Sequence, residues 1–312
     1  MDRTSVSWRG YWPAAPTPFT ADGALDEQAL RNVLRLYADQ GVHGVLVNGT
    51  TGEWFAQRPA ERRRVAELAV EVLGGSTPVV VGCTAYTPAE VIEFAEHARS
   101  IGADGALATP PPYAHLTPEE IVGFYEAVTG AVPLPWMIYN WPRGVAVDID
   151  TATADRLADL PNVVAYKDST GDELMAMATA EVVAGRVRTF GRFIHRRGMA
   201  FMLGVGGDGN IDGGGVGAPF AVPYYEAVWR GDRDEALRWS DLYGAMVAAL
   251  VNPDYSAKFA HPTAQVKAAM NLLGQPGGAV RPPLLDLTDP ARLDALAAAL
   301  DSLGLLRGSP TT

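Results

Sequence analysis

The sequence has little of several things, and each shortage closes off a class of protein. It has one cysteine, Cys83, so no intrachain disulfide can form. That thiol follows an apolar strand and is expected to be packed in the core. Positive charge is short: 25 Lys and Arg face 36 Asp and Glu, a net charge of −11. Nucleic acid is therefore not an expected partner, because phosphate contacts need clustered positive charge. The one dense basic cluster, Arg62-Arg63-Arg64, shares its helix with Glu61, Glu67 and Glu71 and reads as a solvated, self-paired face. No apolar run is long enough to span a membrane, and Met1-Asp2-Arg3-Thr4 lacks the apolar core of a signal peptide. A soluble cytoplasmic protein is the expectation. The histidines at 43, 97, 115, 195 and 261 have no metal-ligand spacing, so no metal is expected. Lysine is scarcest of the charged residues: only three of the 25 Lys and Arg are lysine, at 167, 258 and 267.

What is present is organised around Asn162 to Asp172. Val163-Val164-Ala165-Tyr166 reads as a short buried strand that ends on Lys167 and turns through Ser169, Thr170 and Gly171. Burying an ammonium disfavours its charged form and lowers its pKa. A lysine that is neutral at working pH attacks carbonyl carbon and can form a Schiff base. Two readings of this stretch stand: Lys167 leaves the strand for solvent, or it is kept as an amine. This chain uses Arg wherever plain positive charge will do, which favours the amine. Lys258 and Lys267 lie in helical sequence with no such role evident.

The 312 residues, 48% of them hydrophobic, suffice for a large core. Strand ends are expected near 15, 47, 81, 108, 139, 166, 190 and 211, with a helix after each. Leu30, Val33, Leu34 and Tyr37, at i, i+3, i+4 and i+7, are one such helix face. That alternation calls for parallel strands with crossover helices. Eight units over about 200 residues fit a closed (β/α)8 TIM barrel better than an open doubly wound sheet. From about Ala221 the strand signal stops, and residues 223–250, 263–273 and 290–304 read as helices. The expected domains are a barrel over 1–222 and a C-terminal helical extension over 223–312, packed on the barrel or on a neighbouring subunit.

In such a barrel the chemistry sits at the C-terminal strand ends. The second carries Gly49-Thr50-Thr51-Gly52-Glu53, either an ordinary glycine turn or a cradle of backbone N–H groups for a carboxylate or phosphate. The fifth carries Tyr139-Asn140-Trp141-Pro142-Arg143. Tyr139 either bonds inside the core or relays protons over the mouth. Trp141 either lines a pocket or fills space. The sixth carries Lys167. An amine, a phenol and an anion cradle at one mouth are what a 2-oxo acid needs.

Here the residues carry a resemblance. Gly49-Thr50-Thr51-Gly52-Glu53, Tyr139-Asn140-x-Pro142 and Val164-Ala165-Tyr166-Lys167-Asp168-Ser169 resemble the N-acetylneuraminate lyase / dihydrodipicolinate synthase family. Thr17-Pro18-Phe19 with Asp22-Gly23, Pro111-Pro112-Tyr113 and Gln265 to Gly274 fit too, so the resemblance runs from about residue 10 to 306. It implies a homotetrameric Schiff-base aldolase or dehydratase of pyruvate or a related 2-oxo acid, with an aldehyde as the other reactant of an aldolase and no metal or organic cofactor. It implies Lys167 as the imine-forming lysine and Tyr139 as the acid/base. Thr50 and Thr51 would hold the substrate carboxylate, with the Thr51 hydroxyl also bonding Tyr139.

Departures bear on the substrate. Dihydrodipicolinate synthases have a second tyrosine after the one matching Tyr113, where this chain has Ala114. They have an arginine two residues after the proline matching Pro142, where this chain has Arg143 directly after it. Both argue against 4-hydroxy-tetrahydrodipicolinate synthase, which stays as an alternative, as does a non-catalytic 2-oxo acid sensor. Gly204 to Gly215 contains a G-x-G-x-x-G match, but it does not follow a clear strand and open a helix, so a dinucleotide fingerprint is rejected. Its glycines are expected to bring backbone at Ile211 close to substrate. His195, with Arg192, Arg196 and Arg197, is a candidate for recognising a distal carboxylate.

Overall fold

The computed structural model describes residues 1–307. Eight strands form a closed parallel barrel in chain order: β1 (Gly10–Ala14), β2 (Val45–Val47), β3 (Val79–Gly82), β4 (Gly105–Ala108), β5 (Trp136–Asn140), β6 (Val163–Asp168), β7 (Arg188–Phe190) and β8 (Gly209–Gly213). The return pairing sets Trp12 of β1 opposite Ile211 of β8. Between the strands run α1 (Glu27–Asp39), α2 (Pro59–Leu73), α3 (Pro88–Ser100), α4 (Pro118–Ala131), α5 (Thr151–Leu157), α6 (Glu173–Val183) and α7 (Arg196–Gly204). The sequence sets several helix starts locally. Thr87 with Glu90, and Thr117 with Glu120, form capping boxes, each followed by a proline at the first helical position.

Alternation along the strands divides the apolar residues into two sets. Trp12, Leu46, Val80, Leu107, Met137, Val164 and Phe190 point inward and fill the barrel, Trp12 meeting Phe190 edge to face at 5.3 Å. Val45, Val47, Val79, Val81, Ile138 and Tyr166 point outward under the helices. The filled interior is a core and not a pore, which leaves the ends for chemistry.

Past the barrel the chain is helical. The stretch read from sequence as one helix over 223–250 is two, α8 (Ala218–Arg230) and α9 (Arg233–Leu250). Gly231, with φ of 76°, ends α8 in the left-handed conformation, and Asp232 caps α9. Because α8 starts at Ala218, the helix completing the eighth unit crosses the boundary placed at 222. α10 (Pro262–Leu272) and α11 (Pro290–Ser302) follow. Residues 308–312 of the expected C-terminal segment lie outside the described residues.

The arginine cluster corrects the sequence reading. Arg63 and Arg64 do pair with acids, Arg64 with Glu27 at 2.8 Å and Glu67 at 3.1 Å. Arg62 is instead 4% exposed, its guanidinium 3.8 Å over the Phe94 ring and donating to the Gly82 carbonyl at 2.9 Å. Three consecutive helical residues span about 200° of the circumference, so they do not share one narrow face, and Arg62 is the one that turns inward. Burial lowers its pKa to about 10. Cys83 is buried and free, as expected, and burial pushes its thiol up to about 12. Among the described residues no helix is long and apolar enough to cross a membrane.

Candidate active site

Strand register brings the amine and the phenol together. Tyr139 on β5 pairs with Lys167 on β6, which pairs with Phe190 on β7. Lys167 is 6% exposed. Its Nζ lies 3.3 Å from the centroid of the Tyr139 ring and donates to the Ser169 hydroxyl at 3.2 Å. Burial lowers the lysine pKa to about 7, against the opposing pull of Asp212 and Asp168 and with the help of the Arg192 charge. The amine is thus substantially neutral near pH 7. Burial raises the Tyr139 phenol above its ordinary range, opposed by hydrogen bonds to Ser169 and Thr50. The phenol keeps its proton and can donate it.

The expected carboxylate cradle is the loop after β2. It lies between two non-glycine residues in the left-handed region, Asn48 at φ 54° and Glu53 at φ 55°. Such backbone persists only where surrounding contacts hold it. The Asn48 amide donates to the Arg62 carbonyl at 2.8 Å. Glu53 is fully buried against Lys267 of α10 and accepts the Arg281 backbone N–H at 2.9 Å. Lys267 also donates to the carbonyls of Thr17 and Ala279, both at 2.7 Å. The sequence reading found no role for Lys267. It is the counter-ion that fixes the loop.

The two threonines of the loop face different ways. Thr50 bonds the Tyr139 hydroxyl and lines the mouth cavity. Thr51 lies against Gly213 of β8, where an added Cβ would stand 3.2 Å from its hydroxyl. The resemblance implies a bond from Thr51 to Tyr139; Thr50 and Ser169 are the hydroxyls that act on the Tyr139 phenol. The cavity measures about 250 Å³ and is lined by Gly49, Thr50, Leu107, Thr109, Tyr139, Trp141 and His261 among others. Trp141 stacks on Tyr139 with centroids 6.2 Å apart and planes 13° off parallel. Gly144 makes room for it: a Cβ there would fall 1.7 Å from the indole ring.

The basic residues of the rim separate. Arg143 is exposed and donates to the Asp254 carbonyl at 2.8 Å. Arg192, also exposed, lies 3.5 Å over the Tyr255 ring. His195 caps α7 by accepting the Gly198 N–H at 3.2 Å, and Arg196 pairs with Asp241 at 3.2 Å. Arg197 is exposed. Only Arg192 of the expected group touches the site's electrostatics. Ile211 is half-buried and packs with the inner barrel residues. Asp212, which sequence reasoning missed, accepts from Asn210 at 2.6 Å and from the Tyr243 hydroxyl, and burial raises its pKa. The period-two pair Asn210 and Asp212 was the available signal. Among the described residues no group of three or more His, Cys, Asp and Glu is placed to hold a metal.

Known proteins resemble this one along its length. The model of the dihydrodipicolinate synthetase family matches residues 7–302. A DapA-like lyase of Rhizobium meliloti, itself uncharacterized, is 33% identical over 281 residues, covering 90% of this chain and 91% of the relative. A 4-hydroxy-tetrahydrodipicolinate synthase of Rhodospirillum centenum is 35% identical over 305 residues, covering 96% and 99%. The solved structure of YagE, an E. coli K12 prophage protein of the dihydrodipicolinic acid synthase family in complex with pyruvate, has a TM-score of 0.86 at 26% identity, covering 96% of this chain and 100% of that one. An eight-stranded barrel with an amine at the end of β6, matched over nearly its whole length by that family model, identifies the chain as a member of the dihydrodipicolinate synthetase family.

Proposed function

We propose that this lyase forms a Schiff base between Lys167 and pyruvate or a related 2-oxo acid, then makes or breaks a bond beside it. One observation carries the reading: a buried lysine amine, lowered to about 7, at the cavity end of a barrel strand and against a protonated phenol. The neutral amine attacks C2 of the oxo acid, and the carbinolamine oxygen leaves as water with a proton from Tyr139. The imine then withdraws electrons while C3 loses a proton, giving an enamine. The enamine either attacks an aldehyde carbon, whose oxygen takes up a proton, or expels a hydroxyl from the next carbon as water. The loop at Gly49, Thr50 and Thr51 is the proposed seat of the substrate carboxylate, and Trp141 a wall of the second reactant's space. A homotetramer in the cytoplasm belongs to the same proposal and rests on family resemblance.

The 4-hydroxy-tetrahydrodipicolinate synthase reading is favoured by relatives of that name. Ala114 after Tyr113, and Arg143 bonded to Asp254, weigh against it. The experiment is to incubate the protein with pyruvate and borohydride and map the added mass. An adduct on Lys167 that is lost in Lys167→Ala, together with all turnover, is the expected result. Full activity of Lys167→Ala would end the proposal.

A further inference from the structure

Two arginines stand at the rim on either side of Lys167. Arg143 follows β5 and Arg192 follows β7, with β6 between them. One short loop meets both. Residues 251–257 close on themselves through the antiparallel bridge between Val251 and Ala257 and the 2.8 Å bond from the Asn252 N–H to the Ser256 carbonyl. Arg143 donates to the carbonyl of Asp254 at 2.8 Å, and the guanidinium of Arg192 lies 3.5 Å over the ring of Tyr255. The loop thus reaches across the mouth above the end of β6.

The two arginines are not equivalent. Arg143 is turned to the loop's backbone, and its charge acts on Asp254. Arg192 makes no ion pair within 4.0 Å among the described residues. A guanidinium held over an aromatic ring makes no hydrogen bond through that contact, and its N–H groups can meet a carboxylate in two parallel bonds. It follows β7, whose last residue Phe190 pairs with Lys167, and its charge acts on Lys167, Tyr139 and Asp212. The one acid of those three, Asp212, is already held on β8 by Asn210 and Tyr243.

We propose that Arg192, braced by Tyr255, selects substrates carrying a second carboxylate, distal to the one seated in the Gly49–Gly52 loop. The substrate class is a dicarboxylic 2-oxo acid. This rests on the imine chemistry proposed above and says which acids Lys167 takes.

The test is the concentration dependence of borohydride trapping on Lys167 for two matched pairs: 2-oxoglutarate against 2-oxopentanoate, and 2-oxoadipate against 2-oxohexanoate. The wild type is expected to be half-trapped at about tenfold lower concentration, or less, by the dicarboxylic member of at least one pair, and tenfold corresponds to about 1.4 kcal/mol. Arg192→Ala is expected to abolish that preference and Arg192→Lys to keep part of it, with pyruvate still trapped on Lys167 in both. Tyr255→Ala is expected to weaken it. A wild type without preference, or an Arg192→Ala protein that retains it, overturns the proposal while leaving the imine intact. Failure of every acid to be trapped on wild-type Lys167, pyruvate included, overturns the imine chemistry and this selection with it.

Discussion

Lys167 sets its amine 3.3 Å from the centre of the Tyr139 ring, on the face of the phenol and not at its hydroxyl. The ring face attracts a cation and so favours the charged amine. Burial opposes this and prevails, leaving the pKa at about 7. The hydroxyl meanwhile is tied to Thr50 and Ser169. The ring serves the amine, and the oxygen stays available for the substrate.

The first expectation is a pH profile. Imine formation requires the neutral amine, so its rate should rise with pH and level off above about 7, the lowered lysine value. An unperturbed lysine would keep gaining up to about 10.4. The initial rate of pyruvate trapping by cyanoborohydride, read from pH 5.5 to 9.5, decides. A rate still climbing at pH 9 would contradict the buried amine.

Tyr139→Phe keeps the ring that faces Lys167 and stacks on Trp141, and removes only the oxygen. Turnover is expected to fall by about 10²–10⁴-fold, the usual range for losing a general acid. Pyruvate should still be trapped on Lys167 at a similar half-saturating concentration, but more slowly, because the carbinolamine loses its proton donor. A half-saturating pyruvate concentration that rose as turnover fell would assign the oxygen to binding and not to proton transfer.

Glu53 and Lys267 form a buried pair. Removing one partner leaves a buried charge alone, so Glu53→Met and Lys267→Met are each expected to cost about 3–5 kcal/mol. The double variant should cost much less than the sum. Urea unfolding of the three proteins checks this, and additive losses would mean that the two do not act as a unit.

Gly144→Ala sets a methyl group where the Trp141 ring now lies. The ring must leave its stack on Tyr139. KM for the second reactant is expected to rise while pyruvate trapping survives. In a Trp141→Ala background the same change should do little, because the clash is gone. An unaltered Gly144→Ala enzyme would show that the stack is not needed.

Much of the barrel is visible in the sequence because parallel strands buried on both faces are plain apolar runs, such as Val79-Val80-Val81 before Gly82. Lys167 is legible for the same reason, as a cation that breaks such a run. Arg62 and Lys267 are not. A helical period tells which face a residue lies on, but not what meets that face, and Lys267 finds its acid 214 residues away. Arg143 and Arg192 lie in loops without a period, so nothing local decides which of them faces the mouth. The break at Gly231-Asp232 carried ordinary stop and start residues. The apolar pattern continues across it, which hides the break from a reading by period.

The tie between Glu53 and Lys267 also orders events in time. Synthesis proceeds from the N-terminus, so a nascent chain grown as far as α9 already owns all eight strands and the reactive amine. Its Glu53 still has no counter-ion, and of the ties on the left-handed turn after β2 the Asn48 amide on the Arg62 carbonyl is in place while those of Glu53 to Lys267 and Arg281 are not. On the proposed chemistry the enzyme would become competent only once α10 has docked, and a translation product cut short before residue 267 would carry the amine without an ordered loop to present its substrate.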